Sequence, residues 1–338
     1  MDRNGGTIDM KIKRIITGAR AVLGCAALAL SAPAALAQGE AYPARPITIL
    51  VPFAPGGSSD TIRPIAQKAG EILNATIVID HRVGAGGNVA ALATKQAAPD
   101  GYTLFLANNG TLAINTALFP DLRFDPVKDF QAITKLMSFP SVLAVPADLP
   151  ARNVKELVEL GKSRPNGLTY ASQGIGSGGH ILGEMFRLKT GATLVHVPYR
   201  GAGPAVIDLT SGRTDLLFTS YMSAAGQIEN GKIRVLGYTS LQRTPVLPNV
   251  PTMAEAGFPG TELEIWHGLV APAGTPEPIV RKLHAAFVQA AKDPAIVKIV
   301  EPQAASIATN SPEAFAKEIA DDVKNLGKVV RDADIKVK

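Results

Sequence analysis

A chain of 338 residues with a single cysteine is long enough for two domains and excludes a disulfide framework within the chain. Its formal charge of +5 overstates how basic the working protein is: five basic residues (Arg3, Lys11, Lys13, Arg14, Arg20) and two acidic ones (Asp2, Asp9) fall in the first 37 positions. The rest carries 29 basic against 27 acidic residues and no basic run interleaved with aromatics, which excludes a nucleic-acid partner.

Lys11, Lys13, Arg14 and Arg20 precede a mostly apolar stretch from Ala21 to Ala37 that closes on Ala35, Leu36 and Ala37. A basic region, a short apolar core and an A-x-A site read as a secretory signal peptide over 1–37, cleaved after Ala37, with Met10 an alternative start. Cys25 follows "VLG", but the apolar core continues past it, and acylation there leaves too little core upstream. The mature chain is then exported and free of cysteine, so its own core must hold it together. No later apolar run reaches the length of a bilayer span.

From Pro46 the pattern is strand, glycine-rich turn, helix. "ITILVPF" suits a strand covered on both faces, and "TIRPIAQKAGEILN" spaces Ile62, Ile65, Ala69 and Leu73 for a helix whose first turn holds Pro64. "ATIVID", the alanine-rich helix "NVAALATKQA" and the strand "YTLFLAN" follow, which predicts a largely parallel α/β domain with ligand-facing loops at the strand carboxyl ends. A second series starts after "FPSVLAVPADLP": a helix capped by Asn153, the strand "LTYAS", the helix "GHILGEMFRLKTG", then "LVHVPY", "PAVIDLTSG", "TDLLFT" and "IRVLGYT". The proline-rich "TPVLPNVPTMAEAGFPG" interrupts it before "LEIWHGLVAP" and two terminal helical segments. We read two similar α/β lobes, the second inserted in the first: residues 38–142 with 264–338, and residues 143–263. The crossings fall near Val142–Val145 and Ile265–Ala271, a natural hinge around a cleft.

Each lobe sets a glycine- and serine-rich loop between a strand and a helix: "APGGSSD" in the first, "ASQGIGSGGH" in the second. Such loops let a backbone approach closely, and amides at a helix start with serine hydroxyls donate to an anion. A pair of them can close on opposite ends of a small diacid; the alternative is that each only turns the chain and caps its helix. Candidate ligand contacts are Phe53, Pro55, Gly56, Gly57, Ser58 and Ser59 in the first lobe, with Asn109, Gly110 and Thr111 at the equivalent strand end. In the second lobe they are Ser172, Gly176, Ser177, Gly179 and His180, with Tyr199 and Arg200 from "PYRGAGPA" and Thr219 and Ser220 ending "TDLLFTS". Asp60 would repel an anion if it faced inward, so it is placed behind the loop, holding its shape. Trp266 fits the cleft or the core equally well.

Other chemistries lack parts. Gly174, Gly176 and Gly179 satisfy G-x-G-x-x-G, but Arg200 stands about where an acidic residue would meet a ribose. "GKS" at 161–163 has Glu156 where a phosphate loop needs glycine. No serine sits in G-x-S-x-G, since Ile175 replaces the first glycine before Ser177, and no acid can be placed on His180; a secreted α/β hydrolase of a small ester or amide is the runner-up reading. His81, His180, His196, His267 and His284 form no metal-ligand spacing, and neither a metal nor a cofactor is expected.

The ordered set "YPARPITILVPFAPGGSSD", "RVGAGGNVA", "PDGYTLFLAN", "YASQGIGSGGHILGEMF", "VPYRGAGPAVIDLTSGRTDLLF", "GKIRVLGYTS", "VPTMAEAGFPG" and "WHGLVAPAGTP" resembles the extracytoplasmic solute receptors of tripartite tricarboxylate transporters, the Bug or TctC family, over residues 42–335. The resemblance implies a periplasmic, two-lobed, type II binding-protein fold, acting as a monomer. It also implies closure over one carboxylated solute and delivery to two integral-membrane subunits. By it, a carboxylate lies between the loop matching Phe53 and Pro55 to Ser59 and the loop matching Ser172, Gly176, Ser177 and Gly179, held largely by amides and ordered waters. The range of ligands it implies covers tricarboxylates, acidic amino acids, nicotinate-like and aromatic acids. The stretch "NNGTLAIN" (108–115) is the expected seat of selectivity.

Overall fold

A computed structural model describes residues 42–53, 55 and 58–336, so residues 1–37, read as a signal peptide, and the candidates Gly56 and Gly57 lie outside the described residues. Strand β1 (Ile47–Val51) runs through a 3-10 turn (Ser58–Thr61) into α1 (Ile62–Leu73), followed by β2 (Ile77–His81), α2 (Asn88–Lys95) and β3 (Thr103–Asn108). Helix α1 buries the expected stripe of Ile62, Ile65, Ala69 and Leu73. Pro64 is tolerated because amides of the first turn have no partner within the helix. Residues 109–115, for which the sequence suggests no element, run through a π-helical turn (Gly110–Ile114) with Thr111 to Ile114 buried and into α3 (Asn115–Leu118).

Strand β4 (Phe130–Pro146) leads into the second series: α4 (Val154–Ser163), β5 (Leu168–Ser172), α5 (Gly178–Thr190), β6 (Leu194–Pro198), α6 (Ala202–Thr210), β7 (Leu216–Ser220), α7 (Tyr221–Glu229) and β8 (Ile233–Tyr238). Asn153 caps α4 by accepting the Glu156 amide at 2.9 Å while donating to the Glu156 carboxylate at 2.7 Å, a reciprocal box that stops the helix fraying. The chain returns through β9 (Glu264–Pro272), α8 (Glu277–Ala291), α9 (Pro294–Val300), β10 (Ser306–Ile307) and α10 (Pro312–Asp332).

The strands of Arg45–Lys338 join in the order β2-β1-β3-β9-β4-β7-β5-β6, with β8 and β10 pairing on β4. The sheet is less parallel than the alternating pattern suggests. The ladders β1/β2, β1/β3, β5/β6 and β5/β7 are parallel, but β9 runs against β3 and β4 runs against β9, β7 and β8. The reason is that the lobes are connected by strands rather than loops. β4 is paired with β9 up to Pro140 and with β7 from Ser141, so one strand serves both halves of the sheet. Pro140, which has no amide to donate, stands where one ladder ends and the next begins.

Packing follows the two halves. Phe105, Phe130, Trp266, Val270 and Phe315 lie in one core; Val142, Ala171, Leu217 and Tyr238 lie in another, on the second half. A further cluster crosses between them: Ile114 and Leu118 of the first half and Leu326 and Val330 of α10 pack with Ile181, Phe186 and Phe218 of the second. Helix α10 therefore buries Phe315 and Ile319 in the first core and its other end against the second lobe.

Candidate functional site

In a doubly wound sheet the loops that part company do so at the strand from which the chain turns first one way and then the other, and that crevice receives ligands. Here the pattern occurs twice: β2-β1-β3 in the first half and β6-β5-β7 in the second. A cavity of about 360 Å³ is lined by the carboxyl ends of strands and the segments that follow them: Phe53, Ser58 and Ser59 after β1, Asn108 and Asn109 at the end of β3, Gln173 to Gly179 after β5, and Thr219 and Ser220 ending β7. Phe139 and Ser141 of β4 and Ile265 and His267 of β9 line it as well, and its size is at the lower end of the ~300–1,000 Å³ usual for small-molecule sites.

The first-lobe loop is held from behind. His81, at the end of β2, contacts the Phe53 carbonyl through Nδ1 at 2.6 Å, and Arg63 lies 2.8 Å from Nε2. A carbonyl only accepts and a guanidinium only donates, so Nδ1 donates to Phe53 and Nε2 accepts from Arg63. Asp60 reaches Arg63 at 3.7 Å and is not among the lining residues. Thr61 donates to the Ser58 carbonyl at 2.6 Å, closing the turn. Ser59 is buried with its hydroxyl unpartnered, whereas Pro55 is exposed and outside the lining.

Asn108 and Asn109 are oriented by backbone. Asn108 Oδ1 accepts the Thr111 amide at 2.9 Å, and Asn109 Nδ2 donates to the Glu264 carbonyl at 2.9 Å. These bonds leave Asn108 Nδ2 and Asn109 Oδ1, both buried, without partners.

In the second lobe much of the loop's hydrogen bonding is spent internally. Ser177 caps α5 by accepting the His180 amide at 3.3 Å. The Gly179 amide goes to Gln173 Oε1 at 3.2 Å, and Gln173 donates to the Phe218 carbonyl at 2.9 Å, tying the loop to β7. A Cβ on Gly179 would lie 2.4 Å from that carbonyl, so this glycine serves close approach of helix start to strand. Gly176, at φ +77°, gives its amide to His180 Nδ1 at 3.0 Å. Four residues along the helix start, the His180 ring thus turns into the lobe and does not line the cavity.

There it stacks on His196, centroids 3.8 Å apart, and His196 stacks on Tyr170 at 4.7 Å. Burial, reinforced by the neighbouring His196, pushes the His180 pKa down to about 3, and burial pushes that of His196 to about 4. Ser172 Oγ meets His196 Nε2 at 2.7 Å, but Ser172 is fully buried outside the cavity lining. Tyr199 donates to Asp208 at 2.7 Å and Arg200 is exposed; neither lines the cavity. Ser220 caps α7 and bonds Ser223 at 2.8 Å, while the buried Thr219 hydroxyl is unpartnered.

The sequence reading did not single out Phe139, Ser141, Gln173, Ile265 or His267 as site residues, and it reached Asn108 only as the first residue of the stretch 108–115 expected to set selectivity. His267 lies directly across the ladder from Asn108 and 4.8 Å from the Phe139 ring. Full burial pushes its pKa down to about 4, so the imidazole is neutral at pH 7, and its Nδ1 has no partner. Trp266, between two lining residues on β9, faces the other way; its indole donates to Asp322 at 2.7 Å and meets the Phe315 ring edge-on at 5.1 Å. No Asp, Glu, Lys or Arg lines the cavity among the described residues. What it offers is unspent hydroxyls and amides, helix starts from both lobes, and an apolar strip of Phe53, Phe139, Ile175 and Ile265.

Two α/β lobes that share strands and open their switch-point loops on one cavity define a two-lobed solute-binding protein. Residues 61–335 match the model of the tripartite tricarboxylate transporter family receptor, and the chain belongs to that family. It is 34% identical to Protein BugT of Bordetella pertussis over 92% of this chain and 96% of that one. Among solved structures it is similar to an R. palustris protein with adipate (32% identity, TM-score 0.80, covering 88% of this chain and all of that one). It is similar also to MatC from Rhodopseudomonas palustris with bound malate (33% identity, TM-score 0.77, covering 86% of this chain and all of that one).

Proposed function

We propose that this receptor binds a small carboxylate-bearing solute, such as a dicarboxylate, tricarboxylate or aromatic acid, between its lobes and passes it to a membrane transporter of two integral subunits. The observation that carries the reading is the cavity's chemistry: unpartnered, buried hydroxyls of Ser59 and Thr219 beside the starts of α1, α5 and α7, with no acidic side chain to repel an anion. Helix starts present unbonded amides and the positive end of the helix dipole, which favours an anion without a cationic side chain. The adipate and malate bound by similar proteins support the same ligand class.

The mature protein works in the periplasm as a monomer after cleavage at Ala37, and it makes and breaks no covalent bond. Residues 38–142 with 264–338 move as one lobe and 143–263 as the other, the change of ladder partner at Pro140 and Ser141 supplying the hinge. Solute docks on one lobe and the closed population rises because that state holds it more tightly. Calorimetry and thermal unfolding of the mature chain against di- and tricarboxylates, aromatic acids and acidic amino acids test the reading. Saturable heat and a raised Tm with at least one acid are expected; no response to any of them at millimolar concentration overturns it.

A further inference from the structure

The unspent polar atoms of the cavity fall into two kinds. Ser59 in the turn after β1 and Thr219 near the end of β7 offer hydroxyls. Where β3, β9 and β4 lie side by side, the set is mixed. Asn108 has an open donor in Nδ2 while its oxygen accepts from Thr111, and Asn109 has an open acceptor in Oδ1 while its amide donates to Glu264. Between these strands stands His267, a neutral ring in which one nitrogen donates and the other accepts.

An ionised carboxylate has acceptors only. Placed on this patch it would leave Asn109 Oδ1 unmet and face it with like partial charge, with no Lys or Arg in the lining to offset that. A hydroxyl or a carboxamide both donates and accepts, and can satisfy Asn108 and Asn109 together. Phe139 and Ile265 give the connecting part of such a ligand an apolar surface.

We infer that Asn108, Asn109 and His267 read an uncharged hydroxyl or carboxamide on the solute, away from its carboxylate, and so select a substituted monocarboxylate over the corresponding diacid. The inference rests on the carboxylate reading above.

The test is calorimetry of the mature chain with two matched series: benzoate, 4-hydroxybenzoate, 4-carbamoylbenzoate and terephthalate; hexanoate, 6-hydroxyhexanoate, 6-amino-6-oxohexanoate and adipate. In at least one series the hydroxyl or carboxamide member should bind roughly tenfold or more tightly than both the plain acid and the diacid, because a buried polar atom left unmet is costly. In His267→Phe, which keeps a ring against Phe139, the ratio of substituted-acid to plain-acid affinity should fall toward one. A crystal structure of the tightest complex, which does not depend on the variant folding, should show the substituent within hydrogen-bond reach of Asn108 or Asn109. A diacid binding as tightly as the substituted acid in both series, or only water on the Asn108 and Asn109 side chains in the complex, overturns the inference and leaves the carboxylate receptor standing. Failure of every acid in the wider panel as well removes both.

Discussion

Removing the His180 ring nitrogens should reduce by a measurable amount the stability this protein loses in acid. His180 is neutral in the folded chain, with a pKa near 3, because burial and the stacked His196 oppose its charge; unfolded, it returns to ~6.5. A depressed folded pKa means the unfolded chain takes up protons first, so the stability is present in full above about pH 6.5 and is lost as pH falls toward the folded value. At pH 5.0 the unfolded histidine is favoured by ~1.5 units, or about 2 kcal/mol. His180→Phe keeps an aromatic ring against His196 but strands the Gly176 amide, which should cost about 1–3 kcal/mol at pH 7.5. Going from pH 7.5 to 5.0 the variant should then lose about 2 kcal/mol less than the parent. Urea unfolding followed by circular dichroism at both pH values, with unchanged m-values, measures that difference of differences and cancels the carboxylates common to both proteins. Equal acid losses in parent and variant, or an NMR titration placing folded His180 near pH 6.5, would refute the argument.

Gly179→Ala should destabilise by about 2 kcal/mol or more in urea, since its Cβ would lie 2.4 Å from the Phe218 backbone carbonyl, which cannot swing away. Arg200→Ala should change affinity for a bound acid less than twofold by calorimetry, because Arg200 is exposed and outside the cavity lining. Trp266→Phe should cost about 1–3 kcal/mol, read by circular dichroism, because it leaves the half-buried Asp322, whose pKa desolvation already raises, without the indole donor. Ligand affinity should survive that change in the folded fraction, since Trp266 faces the core and not the cavity.

The loops were legible because glycine and serine between an apolar run and a helical stripe announce a backbone turned toward a helix start. That reasoning located "APGGSSD" and "ASQGIGSGGH". It could not tell which of their groups are spent. Gln173 and His180 consume the Gly179 and Gly176 amides, and only the fold brings Gln173 to Phe218 and turns His180 back onto Gly176. The strand-borne half of the site left no local trace beyond Asn108, which opens the stretch expected to set selectivity. Asn108, Phe139, Ser141 and His267 sit in or at the ends of runs that read as core, and what exposes them to the cavity is the pairing of β3 with β9 and of β9 with β4 across more than a hundred positions.

The same pairing explains why one position of β9 is core and its neighbours are not. Alternation along a strand sends Ile265 and His267 to one face and Trp266 to the other. Which face meets the cavity is decided by the partner strand, not by the residues themselves. That division separates two tasks within one site. The glycine loops meet much of their own hydrogen-bonding demand, so they form a stiff frame, and a frame built that way suits many acids alike. Selectivity then falls to groups whose demand the fold leaves open, and where the end of β3 meets β9 those are Asn108, Asn109 and His267. A substitution in the loops should therefore weaken binding of all solutes together, whereas one on the strands should reorder them.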